Sequence, residues 1–245
     1  MADITLSLPD GSKRILPDGA TGADLALDIG LGLAKTALVM TIDGVERDLA
    51  APLPDGATVS IVTADSDEGL YTIRHSTAHV LAQAVLDLWP GATYAIGPPI
   101  DYGFYYDFLL PEGATFSPED LEEIDSRMRE IIALDQPFER HEVDAAGAME
   151  LFVDHPYKRE IIEKVTGGEA GAELSGEVGS SGVLSYYRNG DGFVDLCMGP
   201  HVPSTGRLGH FALQKVAGAY WRGDESQPML QRIYGTAWAS KKELS

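Results

Sequence analysis

One cysteine occurs in the 245 residues. A single thiol excludes an intramolecular disulfide framework. No run of 18 apolar residues occurs, so nothing reads as a transmembrane helix. The first residues, MADITLSLPDG, lack the apolar stretch of a secretion signal, so a cytoplasmic location is expected. Basic residues are scarce, with 18 Lys and Arg against 38 Asp and Glu, for a formal net charge of −20. Such a chain repels a phosphate backbone unless cations gather locally or another domain helps. Arg74, Lys158, Arg159, Arg207, Lys215 and Arg222 are the cations available for such a patch. What is present suffices for a core, because 44% of residues are hydrophobic.

The chain divides near residue 64. Alternating residues 3–9 form a strand, Asp10-Gly11 a hairpin turn, and Lys13 to Leu16 its return. Thr21 caps a helix through Leu25, Leu27 and Ile29, which Gly30 and Gly32 end. Strands follow at Ala37 to Ile42 and, last, Thr58 to Val62, with a short segment at Val45 to Leu49 between them. This ββαββ order predicts a small β-grasp, ubiquitin-like sheet over one helix, and the whole chain reads as α+β. Residues 64–69 are a polar linker.

Beyond it, Arg74 to Trp89 predicts a helix with an apolar stripe of Ala78, Leu81, Val85 and Leu88. His75, His79 and Gln83 share one flank of that stripe. Ala92 to Phe108 predicts strands around Asp101-Tyr102-Gly103. Ser117-Pro118-Glu119 starts another helix. Shorter helices follow at 144–154 and 156–164, then a small-residue loop at 167–182. A hairpin spans 183–197, and Phe211 to Ala217 is a further strand. Leu230, Ile233, Tyr234 and Trp238 have roughly helical spacing in a terminal segment.

His75 and His79 stand at i and i+4, and Cys197 and His201 repeat the gap across a Gly-Pro turn. Two close nitrogen and sulfur pairs suit a tetrahedral zinc site. They equally suit a metal-free hydrolytic site, where imidazoles move protons and a thiol beside imidazolium ionises. Asp195 points to the same side of its strand as Cys197. It could orient a histidine or bind an ammonium group, or simply be a solvated charge. His141, His155 and His210 lack such partners and read as surface residues. Tyr106 reads by default as core or rim, and Lys158 as a solvated helix lysine.

Five strings sharpen these alternatives: HSTAHVLAQAV, AIGPPIDYGFYYDF, FVDLCMGPHVP, and AGAYWRGD followed by MLQRIYGTAWA. With them the chain resembles the amino-terminal half of bacterial threonyl-tRNA synthetases. The resemblance implies a TGS β-grasp domain over residues 1–63 and an α+β editing domain over 64–226. Residues 227–245 would be a linker into a catalytic domain that this chain lacks. ATP and the catalytic zinc belong to that domain, as would the contacts that make the full-length parent a homodimer.

The implied activity is hydrolysis of serine mis-esterified to tRNA(Thr). Serine and threonine differ by one methyl, worth only about 1–3 kcal/mol in a pocket, so a second sieve is needed. By resemblance His75 acts on the attacking water or the terminal ribose hydroxyl. His79, Cys197 and His201 hold water and substrate, Asp195 binds the seryl ammonium or hydroxyl, Lys158 stabilises charge on the ester, and Tyr106 shapes the pocket. No metal is favoured for editing. The rival readings are a zinc-dependent alanyl-type deacylase with His75, His79, Cys197 and His201 as ligands, and a non-catalytic TGS-containing binding module.

Overall fold

The computed structural model describes residues 2–168 and 183–245, and most of the loop expected at 167–182 lies outside them. Among these residues, helices and antiparallel strands in four separate sheets make the chain α+β. It divides into two compact units, Met1–Ile73 with Pro200–Pro203, and Arg74–Gly199 with Ser204–Ser245.

In the smaller unit, β1 (Asp3–Ser7) and β2 (Lys13–Pro17) form a hairpin. Helix α1 (Gly22–Ile29) starts at Thr21, whose side chain and that of Asp24 cap each other's backbone N–H. Such a reciprocal cap stabilises a helix by about 1 kcal/mol. A second helix, α2 (Leu31–Thr36), follows directly. Gly30 ends α1 as the sequence reading expects, but Gly32 ends nothing and lies inside α2. Strands β3 (Ala37–Ile42), β4 (Val45–Asp48) and β5 (Val59–Thr63) form a three-stranded sheet with β3 central. Leu6, Leu16, Leu25, Met40, Leu53 and Val59 build its core. The backbone N–H of His201 donates to Asp48 Oδ1 at 2.9 Å.

The residues read as a linker are only partly so. Helix α3 runs from Asp67 to Leu88, seven residues earlier than expected at its start. Ser66 Oγ accepts from the Gly69 N–H at 3.1 Å, and Asp67 and Glu68 occupy the first turn, where the helix dipole favours acids.

Strands β6 (Thr93–Tyr94), β7 (Pro99–Ile100) and β8 (Gly103–Leu109) follow. Helix α4 (Pro118–Ala133) begins at a Ser117–Asp120 capping box. Strand β9 (Phe138–Val143) has no counterpart in the sequence reading. Helices α5 (Ala145–Leu151) and α6 (Pro156–Thr166) precede β10 (Leu184–Asn189) and β11 (Phe193–Leu196). Strands β9, β10 and β11 form one sheet with β10 in the middle. Strand β12 (Phe211–Tyr220) pairs with β13 (Met229–Ala237), which pairs with β8, and a short helix α7 (Lys241–Leu244) ends the chain.

Strand β13 corrects the expectation of helical spacing after residue 227. Ile233, Gly235 and Ala237 are buried, while Arg232, Tyr234 and Thr236 alternate to the other face, a period of two. On that other face Arg232 holds Asp107 of β8 with two bonds, at 2.7 and 2.8 Å. Gly235 is needed at this crossing, since a Cβ there would lie 2.4 Å from the Phe104 ring.

Candidate functional site

Helix α3 is buried on nearly every side from Thr72 to Val85. A polar side chain on it must therefore find partners inside the protein. His75 and His79, one turn apart, meet edge to face with ring centres 5.2 Å apart. His75 Nε2 lies 3.3 Å from Cys197 Sγ, which also accepts the Gly199 N–H at 3.2 Å. Gly199 is at φ +74°, and a Cβ there would sit 1.8 Å from the Tyr187 hydroxyl. Both the left-handed backbone and the close phenol demand glycine at the turn after Cys197.

Asp195 is the second focus, because strand β11 turns its side chain into the interior. The carboxylate is buried and meets three groups. Lys158 Nζ of α6 forms an ion pair with Oδ1 at 2.7 Å, Tyr106 of β8 donates its hydroxyl to Oδ2 at 2.5 Å, and His79 Nε2 lies 3.4 Å from Oδ2. Lys158 has no exposed surface, so the solvated lysine expected by default is instead an interior cation. Its ammonium also lies 5.3 Å from the Tyr94 ring and 5.8 Å from that of Tyr106, within cation–π range. Burial, helped by the Lys158 charge, pushes the His79 pKa down to about 3, so this imidazole is neutral at pH 7. A neutral ring can donate from Nε2 to Asp195 but brings no charge of its own.

His75, His79, Cys197 and His201 are all buried, and one donor atom from each lies within 4.8 Å of the others. This cluster could hold a metal ion. A tetrahedral zinc with bonds of about 2.0–2.3 Å needs donors about 3.3–3.8 Å apart. The His75–Cys197 separation already matches that edge, and the widest pair would have to draw in.

Several groups that matter here carry little sequence signal. Gly97 allows the Tyr106 ring to seat, since a Cβ there would lie 2.0 Å from it. Phe138 and Phe193 flank the His79 ring at 6.4 and 6.0 Å. His155 is half-buried and packs edge-on against Tyr94 at 4.6 Å, which corrects its reading as a surface residue. Burial is the first cause holding its pKa below the usual value.

The proposed basic patch is corrected at three of its six cations. Arg74 is buried over the Trp238 ring and donates to the carbonyls of Asp101 and Ala237, and Lys158 is interior. Arg222 is tied to Glu160 at 3.3 Å. Packing consumes cations that the sequence left available.

Comparison with known proteins places this arrangement. Residues 4–63 match the TGS domain, and residues 184–234 match the second additional domain of threonyl and alanyl tRNA synthetases. The chain is thus a TGS protein with an editing-type domain. Over 98% of its length it aligns with threonine–tRNA ligases at about half identity. Examples are those of Acidithiobacillus ferrooxidans, 53% over 241 residues, and Maricaulis maris, 51% over 244 residues. It is similar to one part of these ligases and spans about a third of those relatives' length, 35% in both. The editing-domain match contains Asp195, Cys197 and His201, while His75, His79, Tyr106 and Lys158 precede it. Among the described residues no helix is long and apolar enough to cross a membrane.

Proposed function

We propose that this chain is a proofreading esterase that removes serine from tRNA(Thr), working without a metal in its editing site. The observation that carries this reading is the buried Asp195 carboxylate, held by Lys158, Tyr106 and His79 within 2.5–3.4 Å. A fixed anion beside a fixed cation suits a substrate with an ammonium group at one end and an ester that becomes negative at the other. Asp195 takes the seryl ammonium or hydroxyl. Lys158 faces the ester oxygen and stabilises its developing charge, the task of a pre-organised donor. His75 accepts a proton from the attacking water as the water oxygen bonds to the ester carbon. The ribose oxygen then leaves and takes a proton. His79, neutral at working pH, Cys197 and His201 orient water and substrate. Tyr106, seated against Gly97, leaves room for serine and none for the extra methyl of threonine.

The aminoacyl ester is already activated, so positioning and modest acid–base help supply enough of the barrier. We read 1–63 as the TGS domain, 64–226 as the editing domain, and the natural setting as a cytoplasmic synthetase that is homodimeric through other domains. ATP and a catalytic zinc would serve aminoacylation there. Deacylation of seryl-tRNA(Thr) and threonyl-tRNA(Thr) by this chain tests the reading. Rapid loss of serine with threonine spared is expected, and equal rates would refute it.

The cluster of His75, His79, Cys197 and His201 favours one second reading, a zinc-dependent alanyl-type deacylase. There the four residues would hold zinc, which would supply Lewis acidity to bound water or ester. Elemental analysis of protein purified without chelators, with seryl- and alanyl-tRNA as substrates, separates the two.

A further inference from the structure

Asn189 has no exposed surface, yet neither its Oδ1 nor its Nδ2 meets a hydrogen-bond partner among the described residues. Gln83 is similar: it is 6% exposed, and its Oε1 has no such partner. Its Nε2 donates to Gln136 Oε1 at 3.0 Å. Gln136 in turn lies against Gly190, where a Cβ would come within 2.8 Å of its Nε2. Three amide side chains therefore gather at the end of β10. Buried amide atoms seldom remain unpaired, and where protein groups do not reach them an internal water does.

The location gives this water a task. Asn189 stands directly opposite Phe193 on β11 and Phe138 on β9, the middle of a row of three side chains on one face. His79 touches both outer members of that row. Gln83 follows His79 by one helical turn, on the same flank of α3. The centre of that row thus faces the side on which His79 packs, and Gln83 is one turn further along the same flank. Asn189 Oδ1, Asn189 Nδ2 and Gln83 Oε1 offer the two to four polar partners that a buried water needs.

We propose that Asn189 is a positioning residue: with Gln83 it holds an internal water under His79, which fixes the ring with Nε2 toward Asp195. The proposal deepens the deacylase reading and rests on it for its catalytic consequence. It needs no metal and no titration. It also assigns a purpose to an asparagine that would otherwise be poorly placed in an apolar row.

A high-resolution crystal structure of this chain is the first test. An ordered water bonded to the Asn189 and Gln83 amides is expected. A dry site, with both amides turned to backbone groups, overturns the proposal. Nitrogen-15 NMR of the imidazoles at pH 7 is the second test and does not depend on activity. His79 should be a single Nε2–H tautomer in the native chain and a mixture in Asn189→Leu, and an unchanged His79 signal overturns the proposal. Deacylation of seryl-tRNA(Thr) should fall about 10–100-fold in kcat in Asn189→Leu, the usual range for a group that orients a site residue, with KM little changed. Asn189→Ser, which leaves space for an additional water, should recover most of the loss. A loss confined to KM would overturn the positioning role. Should Asn189→Leu fail to fold, Gln83→Leu removes one partner of the water and should shift the His79 signal in the same direction. A native chain that deacylates nothing while its His79 signal still responds to Asn189 refutes the deacylase reading and supports this one.

Discussion

Asp195→Asn is the most exacting perturbation of this interior. The change keeps shape and volume but removes the negative charge that faces Lys158 at 2.7 Å. Lys158 has no exposed surface and cannot reach water without moving α6. Breaking one side of a buried pair costs about 3–5 kcal/mol, because the remaining charge stays buried and uncompensated. In a unit of this size each kcal/mol lowers Tm by about 2–4 °C, so a drop of about 6–20 °C is expected. Trp89, Trp221 and Trp238, the three tryptophans, all lie in the larger unit, so tryptophan fluorescence in urea reports on its unfolding. The double variant Asp195→Asn with Lys158→Met should recover a large part of the loss, since no lone charge then remains. Activity should be absent in both. The reasoning is refuted if Asp195→Asn lies within about 1 kcal/mol of the native chain, or if the double variant is less stable than the sum of the single changes.

Other outcomes follow from the same geometry. Gly199→Ala forces a Cβ into the Tyr187 hydroxyl at φ +74° and should lose about 1–3 kcal/mol with a marked fall in deacylation; native stability and rate would show that the turn is pliable. His155 is held below its usual pKa, first by burial, so the unfolded chain binds its proton at higher pH than the folded chain does. Its contribution to stability is therefore full above the unfolded value and declines as pH falls through and below it. Urea midpoints of the native chain and His155→Gln should converge as pH is lowered, and parallel curves would contradict this. Chelator treatment should leave seryl-tRNA(Thr) deacylation unchanged, whereas a large loss restored by zinc would move the assignment to the zinc reading. His75→Ala should abolish hydrolysis with the fold intact, and full activity would remove His75 from the mechanism.

Much of the architecture was legible along the chain because its signals are local. Thr21 with Asp24 and Ser117 with Asp120 cap helices through neighbours three residues away. Asn189-Gly190-Asp191-Gly192 marks a hairpin, and the i, i+4 histidines of α3 share a flank by helical geometry alone. Strand β9 is not legible in the sequence because FERHEV carries four ionisable residues, and only pairing with β10 makes it a strand. Strand β13 is ambiguous in the sequence for the opposite reason. Its apolar residues also fit a helical spacing, and only its position between β12 and β8 selects the period of two.

The sequence by itself determined the two-part organisation, the helix starts, the family strings and the identity of the histidine and cysteine pairs. Tertiary structure alone decided which charges became interior and with whom. Asp195 meets a lysine 37 residues before it and a tyrosine 89 residues before it, and no local period links such positions. Sequence patterns record which side chains leave water, because burial follows the repeat of a helix or strand. They do not record which polar groups meet once inside. That depends on how separate elements pack, and a buried charge or amide is tolerated only where packing brings it a partner.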